Sequence, residues 1–375
     1  MDFLRRTWAE IDLDALKHNF KTLKETSNKS KIMAVVKANA YGHCAEYIAP
    51  VLEQCGTDYF AVSNIDEALS LRNFGVEKPI LILGYTPTNK AKELCEHNIS
   101  QCVYSYEYAK ELSKSAKEQK VTVKVHIKLD TGMSRIGFDC RSQDLCGIND
   151  AIASAKLDGF IIDGVFTHFA VADRTPKTED GFTNEQFARF QKAIELLSQN
   201  GINPPIKSCC NSAGFLNDPD KHIYFSRIGI ALYGLSPDKD LDLNLPLVPV
   251  MTVKSVVSQV KEISKGDTVN YGRTFKATKN MKIATVSAGY ADGYPRILSN
   301  QGYVLINGKK ANIIGRVCMD QMCVDVTEID CKMGDEVILF GKDLSVDVLA
   351  EICDTINYEI VCGISQRVPR IIING

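Results

Sequence analysis

The segment IMAVVKANAYGH, residues 32–43, places one lysine directly after a run of five apolar residues. Short apolar runs rich in β-branched residues are typical of strands buried in a parallel sheet. Lys37 would then stand at the end of a buried strand, where desolvation lowers the pKa of an amine toward its neutral, nucleophilic form. The segment therefore predicts a buried strand with a reactive lysine at its end.

Seven further apolar runs alternate with stretches of helical periodicity along the first two thirds of the chain. This alternation is typical of repeated strand–helix units and a parallel sheet. Eight units in roughly 200 residues favour a closed (β/α)8 barrel of the TIM type over an open doubly wound sheet, which periodicity alone leaves as the alternative. The predicted strands cover residues 32–37, 59–63, 79–83, 101–104, 121–129, 159–168, 206–210 and 223–230.

The sequence changes character after the last predicted strand. A segment rich in Pro, Asp and Asn, residues 233–249, precedes close-set apolar runs with tight turns and a single helical candidate at 345–356. We therefore predict an α/β protein in which residues 1–240 form the barrel and residues 241–375 form a mainly-β domain. Residues 10–25 predict an amphipathic helix that begins outside the barrel.

Charge and composition exclude several classes of protein. The 375 residues carry a formal net charge of -2, with no run of Lys and Arg dense enough to bind nucleic acid. The first residues alternate charged and apolar groups, so they predict neither a signal peptide nor a membrane span. We expect a cytoplasmic protein with no membrane partner, whose thirteen scattered cysteines are reduced thiols and form no metal site.

Polar residues collect where the predicted barrel strands end, which is where such barrels bind ligands. Ser212 and the small residues around Gly229 offer a hydroxyl and backbone N–H groups suited to a phosphate. Together with the amine of Lys37, they indicate pyridoxal 5'-phosphate. Each residue alone has an ordinary structural explanation, so their conjunction carries the prediction. The polar residues at the predicted strand ends, together with Gly229, are Lys37, Lys128, Asp130, Arg135, His168, Asn211, Ser212 and Arg227.

Ten stretches in order resemble the alanine racemase family of pyridoxal-phosphate isomerases, which combine a barrel with a β domain. The resemblance implies a homodimer with active sites shared across the interface. It also implies interconversion of L- and D-alanine, which supplies D-alanine for peptidoglycan. The stretches are WAEIDLDAL, AVVKANAYGH, HIKLDTGMSRIGF, GVFTHFA, CCNSAG, SRIGIALYG, VNYGRTF, GYADGYPR, IIGRVCMDQ and INYE.

The resemblance also implies a role for each matched residue. Lys37 and, from the partner subunit, Tyr271 would be the two bases on opposite faces of the cofactor. Arg135 and the Met319 backbone N–H would bind the substrate carboxylate. Lys128 would support Arg135, often as a carbamate, and Tyr290 and Asp320 would line the entrance. The implied cofactor ligands are Lys37, Tyr41, His168, Asn211, Ser212, Arg227, Gly229, Ile230 and Tyr358.

Electrostatics add two expectations to these implied roles. An ordinary phenol costs roughly 4 kcal/mol to ionise at pH 7, so a tyrosine base needs cationic neighbours, and His168 and Arg227 are the first candidates. The family places Arg227 against the pyridine nitrogen, where a guanidinium is a poor proton donor. The cofactor ring then withdraws electrons less strongly, which suits a racemase better than a decarboxylase.

Two departures and three alternatives accompany this interpretation. Cys44 replaces the family's usual glycine, although cysteine tolerates positive φ less well, and VCGISQRVPR near the C-terminus varies from the common spelling. The alternatives are a serine racemase, a decarboxylase of the same fold and a non-catalytic cofactor-binding barrel. Tyr358 favours alanine over serine, Tyr271 and Arg227 argue against the decarboxylase, and the second domain argues against the binding barrel.

Overall fold

Eight parallel strands close into a barrel in the computed structural model, which describes residues 6–27, 30–173, 181–239, 241 and 245–375. Each strand pairs with the next in chain order, and the eighth pairs with the first, so the sheet has no free edge. The closed barrel is confirmed, and the open sheet is excluded. The barrel strands are Lys31–Val35, Tyr59–Val62, Ile80–Ile82, Ile99–Val103, Val123–Asp130, Phe160–Phe166, Ile206–Ser208 and Phe225–Ile228.

The helices around the barrel begin at polar caps and pack an apolar stripe on the sheet. Asp12, Asn64 and Ser105 each precede a helix, and each side chain accepts a hydrogen bond from a backbone N–H three residues later, at 3.0–3.2 Å. The helices of this region are Leu13–Thr26, Ala45–Gln54, Ile65–Asn73, Ala91–Glu96, Tyr106–Glu118, Ile148–Ala155, Phe182–Gln199 and Ser212–Asn217.

A second, mixed sheet forms the C-terminal part of the molecule, as the close-set runs predict. Its long central strand, Met251–Ile263, pairs antiparallel with three neighbours. The assignment of the N-terminus to the barrel needs a correction, because Thr7–Asp12 pairs with this central strand and with Arg370–Ile373. The other strands of the sheet are Met281–Val286, Tyr303–Ile306, Lys309–Ile314, Met322–Asp325 and Glu336–Phe340.

Two helices, rather than the one predicted, lie between the strands Glu336–Phe340 and Arg370–Ile373 of this sheet. Val346–Ile352 matches the predicted helix, and Asn357–Gly363 was not predicted. The second helix packs against the turn after the first barrel strand, where a Cβ on Gly42 would lie 2.3 Å from the carbonyl oxygen of Val361. Arg370 reinforces this contact by donating from Nε to the Gly42 carbonyl at 3.0 Å. The β domain therefore supports the turn that carries Lys37.

None of the helices in the described part of the chain combines the length and apolarity that crossing a membrane requires.

Candidate active site

Lys37 lies at the barrel rim on an unusual left-handed turn. Residues 38–41 all have φ between +51° and +54°, a conformation that costs about 1–2 kcal/mol for each non-glycine residue. Local hydrogen bonds offset this cost. The Ala38 N–H donates to Glu67 Oε1 at 2.7 Å, and the Ala45 N–H donates to Asn39 Oδ1 at 2.8 Å. The turn therefore holds the lysine at the mouth of the barrel.

Cys44 has φ +76°, a value at which a glycine would be free of strain. The substitution at this position therefore leaves the backbone in the conformation that glycine favours.

The environment of Lys37 shifts its amine toward the neutral form. Burial lowers the pKa of Lys37, and the positive charge of Arg135 lowers it further, whereas Glu67 opposes both effects. A carboxylate held by two backbone N–H groups, those of Ala38 and Ser63, has much of its charge already compensated. The net shift is toward the neutral, nucleophilic form of the amine, and the role of Lys37 as a nucleophile stays a prediction.

Two adjoining cavities meet at Lys37. One has a volume of about 420 Å³ and the other about 180 Å³, and both are lined by Lys37, Leu83, His168 and Arg227. The smaller cavity gathers the predicted phosphate ligands and Asn211, a further predicted cofactor ligand. The phosphate ligands are Tyr41, Ser212, Gly229, Ile230 and Tyr358. The larger cavity adds the predicted Lys128 and Arg135, together with Ser63, Gly84, Tyr85, Tyr104, Ile136 and Phe166.

Leu83, Tyr85 and Tyr104 were not predicted as site residues. They follow the third and fourth barrel strands, so the rule that strand ends carry the site could have found them.

The smaller cavity has the chemistry of a phosphate cradle. Ser212 Oγ accepts a hydrogen bond from the Gly229 N–H at 2.9 Å, and a Cβ on Gly229 would lie 2.5 Å from the Tyr41 hydroxyl oxygen. The Tyr41 ring packs between those of Tyr233 and Tyr358, with centroids 5.1 and 5.9 Å away. A hydroxyl, two phenols and an approach that only glycine allows fit a small anion. These residues therefore fit the phosphate group of the predicted cofactor.

Arg227 forms the buried floor between the two cavities. Its guanidinium donates to Ser208 Oγ at 2.5 Å, to the Thr167 and Cys209 carbonyls at 2.7 and 3.2 Å, and to His168 Nδ1 at 3.1 Å. Burial lowers the pKa of Arg227 to about 10. The side chain therefore stays protonated at neutral pH and is fixed in place on several sides.

His168 is neutral, so the expectation that it supplies a positive charge is wrong. Burial, and then the charges of Arg227, Lys128 and Arg135, hold the pKa of His168 well below its usual value. Its Nδ1 accepts from Arg227, which leaves Nε2 as the protonated ring nitrogen. Arg227 remains the cation of this pair.

Lys128 is buried beneath the larger cavity. Its Nζ lies 5.1 Å from the centroid of the Phe166 ring and donates to the Leu129 carbonyl at 3.2 Å. Burial, followed by the charge of Arg227, lowers the pKa of Lys128 to about 7. Arg135 is exposed at the cavity mouth.

Apart from Tyr358, the predicted residues of the second domain lie away from these cavities. Tyr290 donates its N–H to the Cys318 carbonyl at 3.0 Å, and the next residue donates to Met319 at 3.0 Å, so two loops lie side by side. The side chains of Tyr271 and Met319 are 76% and 53% exposed. Tyr271, Tyr290, Met319 and Asp320 are absent from the described residues that line either cavity.

Comparisons with known proteins identify one family for both domains. Models described as alanine racemase N-terminal domain and C-terminal domain match residues 11–237 and 250–372. An alanine racemase of Clostridium perfringens (strain SM101 / Type A) is 47% identical over 374 residues, which cover 98% of this chain and 95% of that relative.

Solved structures agree with the sequence matches. An alanine racemase of Clostridium difficile 630 matches with a TM-score of 0.92 at 38% identity, covering 99% of this chain and 97% of that one. An alanine racemase of Bartonella henselae with covalently bound pyridoxal phosphate matches with a TM-score of 0.86 at 32% identity, covering 98% of this chain and 99% of that one. Because one family matches both domains in order, the chain belongs to the alanine racemase family.

Proposed function

We propose that this protein is a pyridoxal-phosphate-dependent racemase that interconverts L-alanine and D-alanine and thereby supplies D-alanine for peptidoglycan. The observation that carries the proposal is the position of Lys37, whose amine lies where a phosphate cradle meets a larger cavity. Membership of the alanine racemase family supports the same assignment.

The cofactor would be held by Lys37 at its reactive carbon and, at its phosphate, by the cradle of Tyr41, Ser212, Gly229, Ile230 and Tyr358. Asn211 would be a further cofactor ligand. The relative from Bartonella henselae contains this cofactor covalently bound. When bound, pyridoxal 5'-phosphate supplies the electron sink that makes the Cα proton of an amino acid acidic.

Arg227 would face the pyridine nitrogen, with His168 as its neutral neighbour. Because its pKa is about 10, the guanidinium would donate a hydrogen bond to that nitrogen and keep its proton. Negative charge on the substrate Cα would then be stabilised less than in an enzyme with a carboxylic acid at the pyridine nitrogen. Rapid return of a proton to Cα is favoured over slower side reactions, which suits racemisation better than decarboxylation.

Two bases would act on opposite faces of Cα. Lys37 would move the proton on one face, and Tyr271 of the partner subunit would move it on the other. The high exposure of Tyr271 and its place outside the cavities of its own chain support a contribution to a second copy. We therefore propose a homodimer with active sites shared across its interface, in which the barrel domain ends near residue 240 and the strand Thr7–Asp12 joins residues 241–375 in the β domain.

The substrate carboxylate would be bound by Arg135 and by the Met319 backbone N–H of the partner subunit. Arg135 lines the larger cavity, as this role requires. Tyr290 and Asp320 of the partner subunit would line the entrance, since they lie beside Met319 at the same end of the β domain.

Lys128 is expected to carry a carbamate when CO2 is present. Its pKa of about 7 means that the neutral fraction of the amine rises as the pH increases through neutrality. The neutral nitrogen adds to the carbon of CO2 and releases one proton, which produces an anion among the charges of Arg135 and Arg227. With ¹³C-labelled bicarbonate at pH 8, NMR should show a carbamate carbon.

Lys128→Ala should remove that resonance and raise the KM for alanine about 10-fold, the loss expected for one charge-assisted interaction. The control is Lys124→Ala on the same strand, since Lys124 bonds to Asn98 at 2.8 Å outside the cavities. A wild-type spectrum without the resonance would contradict the carbamate.

Gly229→Ala should weaken cofactor binding about 100-fold. The new Cβ would lie 2.5 Å from the Tyr41 hydroxyl oxygen, so the phenol must leave the cradle, with a loss of about 3 kcal/mol for a charge-assisted hydrogen bond to the phosphate. Equilibrium dialysis measures the affinity of the variant for pyridoxal 5'-phosphate. Gly75→Ala is unsuitable as a control, because Gly75 has a positive φ at which alanine is strained. The control is Gly363→Ala, whose added Cβ meets no atom within 4 Å. This variant should bind the cofactor normally.

The proposed activity is tested by incubating the purified protein with single L-amino acids in deuterated water. Chirality and Cα deuteration are followed together. We expect L-alanine to racemise and take up deuterium much faster than L-serine. Release of CO2 from a basic amino acid would instead identify a decarboxylase, and deuteration of no amino acid would exclude both enzymes.

A further inference from the structure

A buried carboxylate joins the two loops at the exposed end of the β domain. Asp292, with only 2% of its side chain exposed, accepts from Arg6 Nη1 at 2.7 Å and Arg6 Nη2 at 3.1 Å. It also accepts from Arg367 Nε at 2.8 Å and from the Gly289 N–H at 2.9 Å. All these donors approach one carboxylate, so its desolvation is compensated by charge-assisted bonds.

The same two arginines reach the neighbouring loop. Arg6 Nη2 donates to the Asp320 carbonyl at 3.1 Å, and Arg367 Nη2 donates to Asp320 Oδ1 at 2.7 Å. Each guanidinium therefore bridges Asp292 and Asp320, so one carboxylate fixes the spacing of the two loops. Arg6 comes from the N-terminal strand region and Arg367 from the C-terminal one, which anchors both loops to the sheet.

The loops have no freedom to separate without breaking these contacts. A Cβ on Gly289 would lie 2.3 Å from the Cys318 carbonyl oxygen, so the backbones are in close contact. Tyr290 and Met319 are large apolar residues that these loops expose.

We propose that Asp292 is a positioning residue for the active site of the partner subunit, acting through Tyr290 and the Met319 backbone N–H. This inference rests on the proposed function, because it requires active sites shared across a dimer. Asp292 itself touches neither substrate nor cofactor. It holds the two loops at the spacing in which the Met319 N–H reaches the carboxylate of a substrate bound in the active site of the partner subunit.

The first test is Asp292→Asn, which keeps the shape of the side chain and removes its charge. We expect kcat/KM for L-alanine to fall about 10- to 100-fold, the cost of a misplacement near 1 Å. Most of the loss should be in KM, because the Met319 N–H binds the carboxylate before and during the reaction alike. Cofactor content should be unchanged, since the residues proposed to hold the cofactor lie in the other domain or on the Asn357–Gly363 helix.

The matched control is Glu10→Gln. Glu10 also joins the N-terminal strand to the sheet, since its carboxylate lies 2.9 Å from Lys254 Nζ, but it lies outside the two loops. Near wild-type kinetics are expected for this variant. Wild-type KM and kcat for Asp292→Asn would overturn the proposal.

The decisive test is a heterodimer of one Asp292→Asn chain and one Lys37→Ala chain, purified with two different affinity tags. One of its two sites combines an intact Lys37 with intact partner loops. That site should have wild-type kcat/KM within about 2-fold, well above either variant homodimer. A Lys37→Ala/Tyr271→Phe heterodimer tests the shared site alone.

The two heterodimers separate the possible failures. If only the Tyr271→Phe combination regains activity, Asp292 acts within its own chain, and the proposal is overturned while the shared site stands. If neither regains activity, the shared site itself is wrong. Should Asp292→Asn lose cofactor or fold poorly, Arg367→Gln removes one of the two bridging arginines and is carried through the same kinetics and mixing.

Discussion

Lys37→Ala should abolish alanine racemisation, with a fall in kcat of at least about 10⁴-fold, the upper range for loss of a general acid–base group. The amine is proposed both to hold the cofactor and to move a proton at Cα, so its removal affects both steps. Burial lowers the pKa of Lys37, which is why no nearby exposed lysine can replace it. Cofactor absorbance and racemisation should be lost together.

The control is Lys31→Ala, at the other end of the same barrel strand. Lys31 is exposed and lies 5.7 Å from the centroid of the Phe225 ring, outside both cavities. Its removal tests whether the effect is specific to the rim of the barrel. Small primary amines added to Lys37→Ala should restore part of the activity, because they enter the space left by the side chain. Wild-type turnover in Lys37→Ala would remove the basis of the proposed mechanism.

The sequence predicts the barrel well because its strands are buried on both faces. A strand such as Tyr59–Val62, in which every residue is buried, must be apolar throughout, and that leaves a continuous run in the sequence. The rule that ligands bind at strand ends then places Lys37, Ser212 and Arg227 together, and the cavities confirm that these residues meet.

The departures from prediction have physical causes that local pattern does not contain. The place of Thr7–Asp12 in the second sheet could not be predicted from local pattern. Its partners, Met251–Ile263 and Arg370–Ile373, are more than two hundred residues away in the chain. The low pKa of His168 depends on its burial and then on the charges of Arg227, Lys128, Arg135 and Lys37, which come from other strands and loops. The left-handed turn after Lys37 depends on Glu67 and on helix Asn357–Gly363, both distant in sequence.

Tyr271→Phe should retain bound cofactor but stop racemisation. L- and D-alanine have equal free energy in solution, so kcat/KM must fall by the same factor in both directions, and rates of conversion cannot reveal which face is affected. Exchange of the Cα hydrogen with deuterated water reveals which face is affected. The variant should still deuterate D-alanine through Lys37, with retention, whereas deuteration of L-alanine should fall at least about 10³-fold.

The asymmetry follows from the two-base proposal alone. If Tyr271 were the only base and served both faces, its removal would slow exchange of both enantiomers to the same extent. If Tyr271 only shaped the cavity, its removal would raise the KM for both enantiomers. Tyr224→Phe is the matched control, because Tyr224 is 60% exposed and lies at the start of the eighth barrel strand, opposite the rim. Equal slowing of deuteration for the two enantiomers in Tyr271→Phe would therefore exclude the phenol as the base that serves L-alanine, even if racemisation were lost.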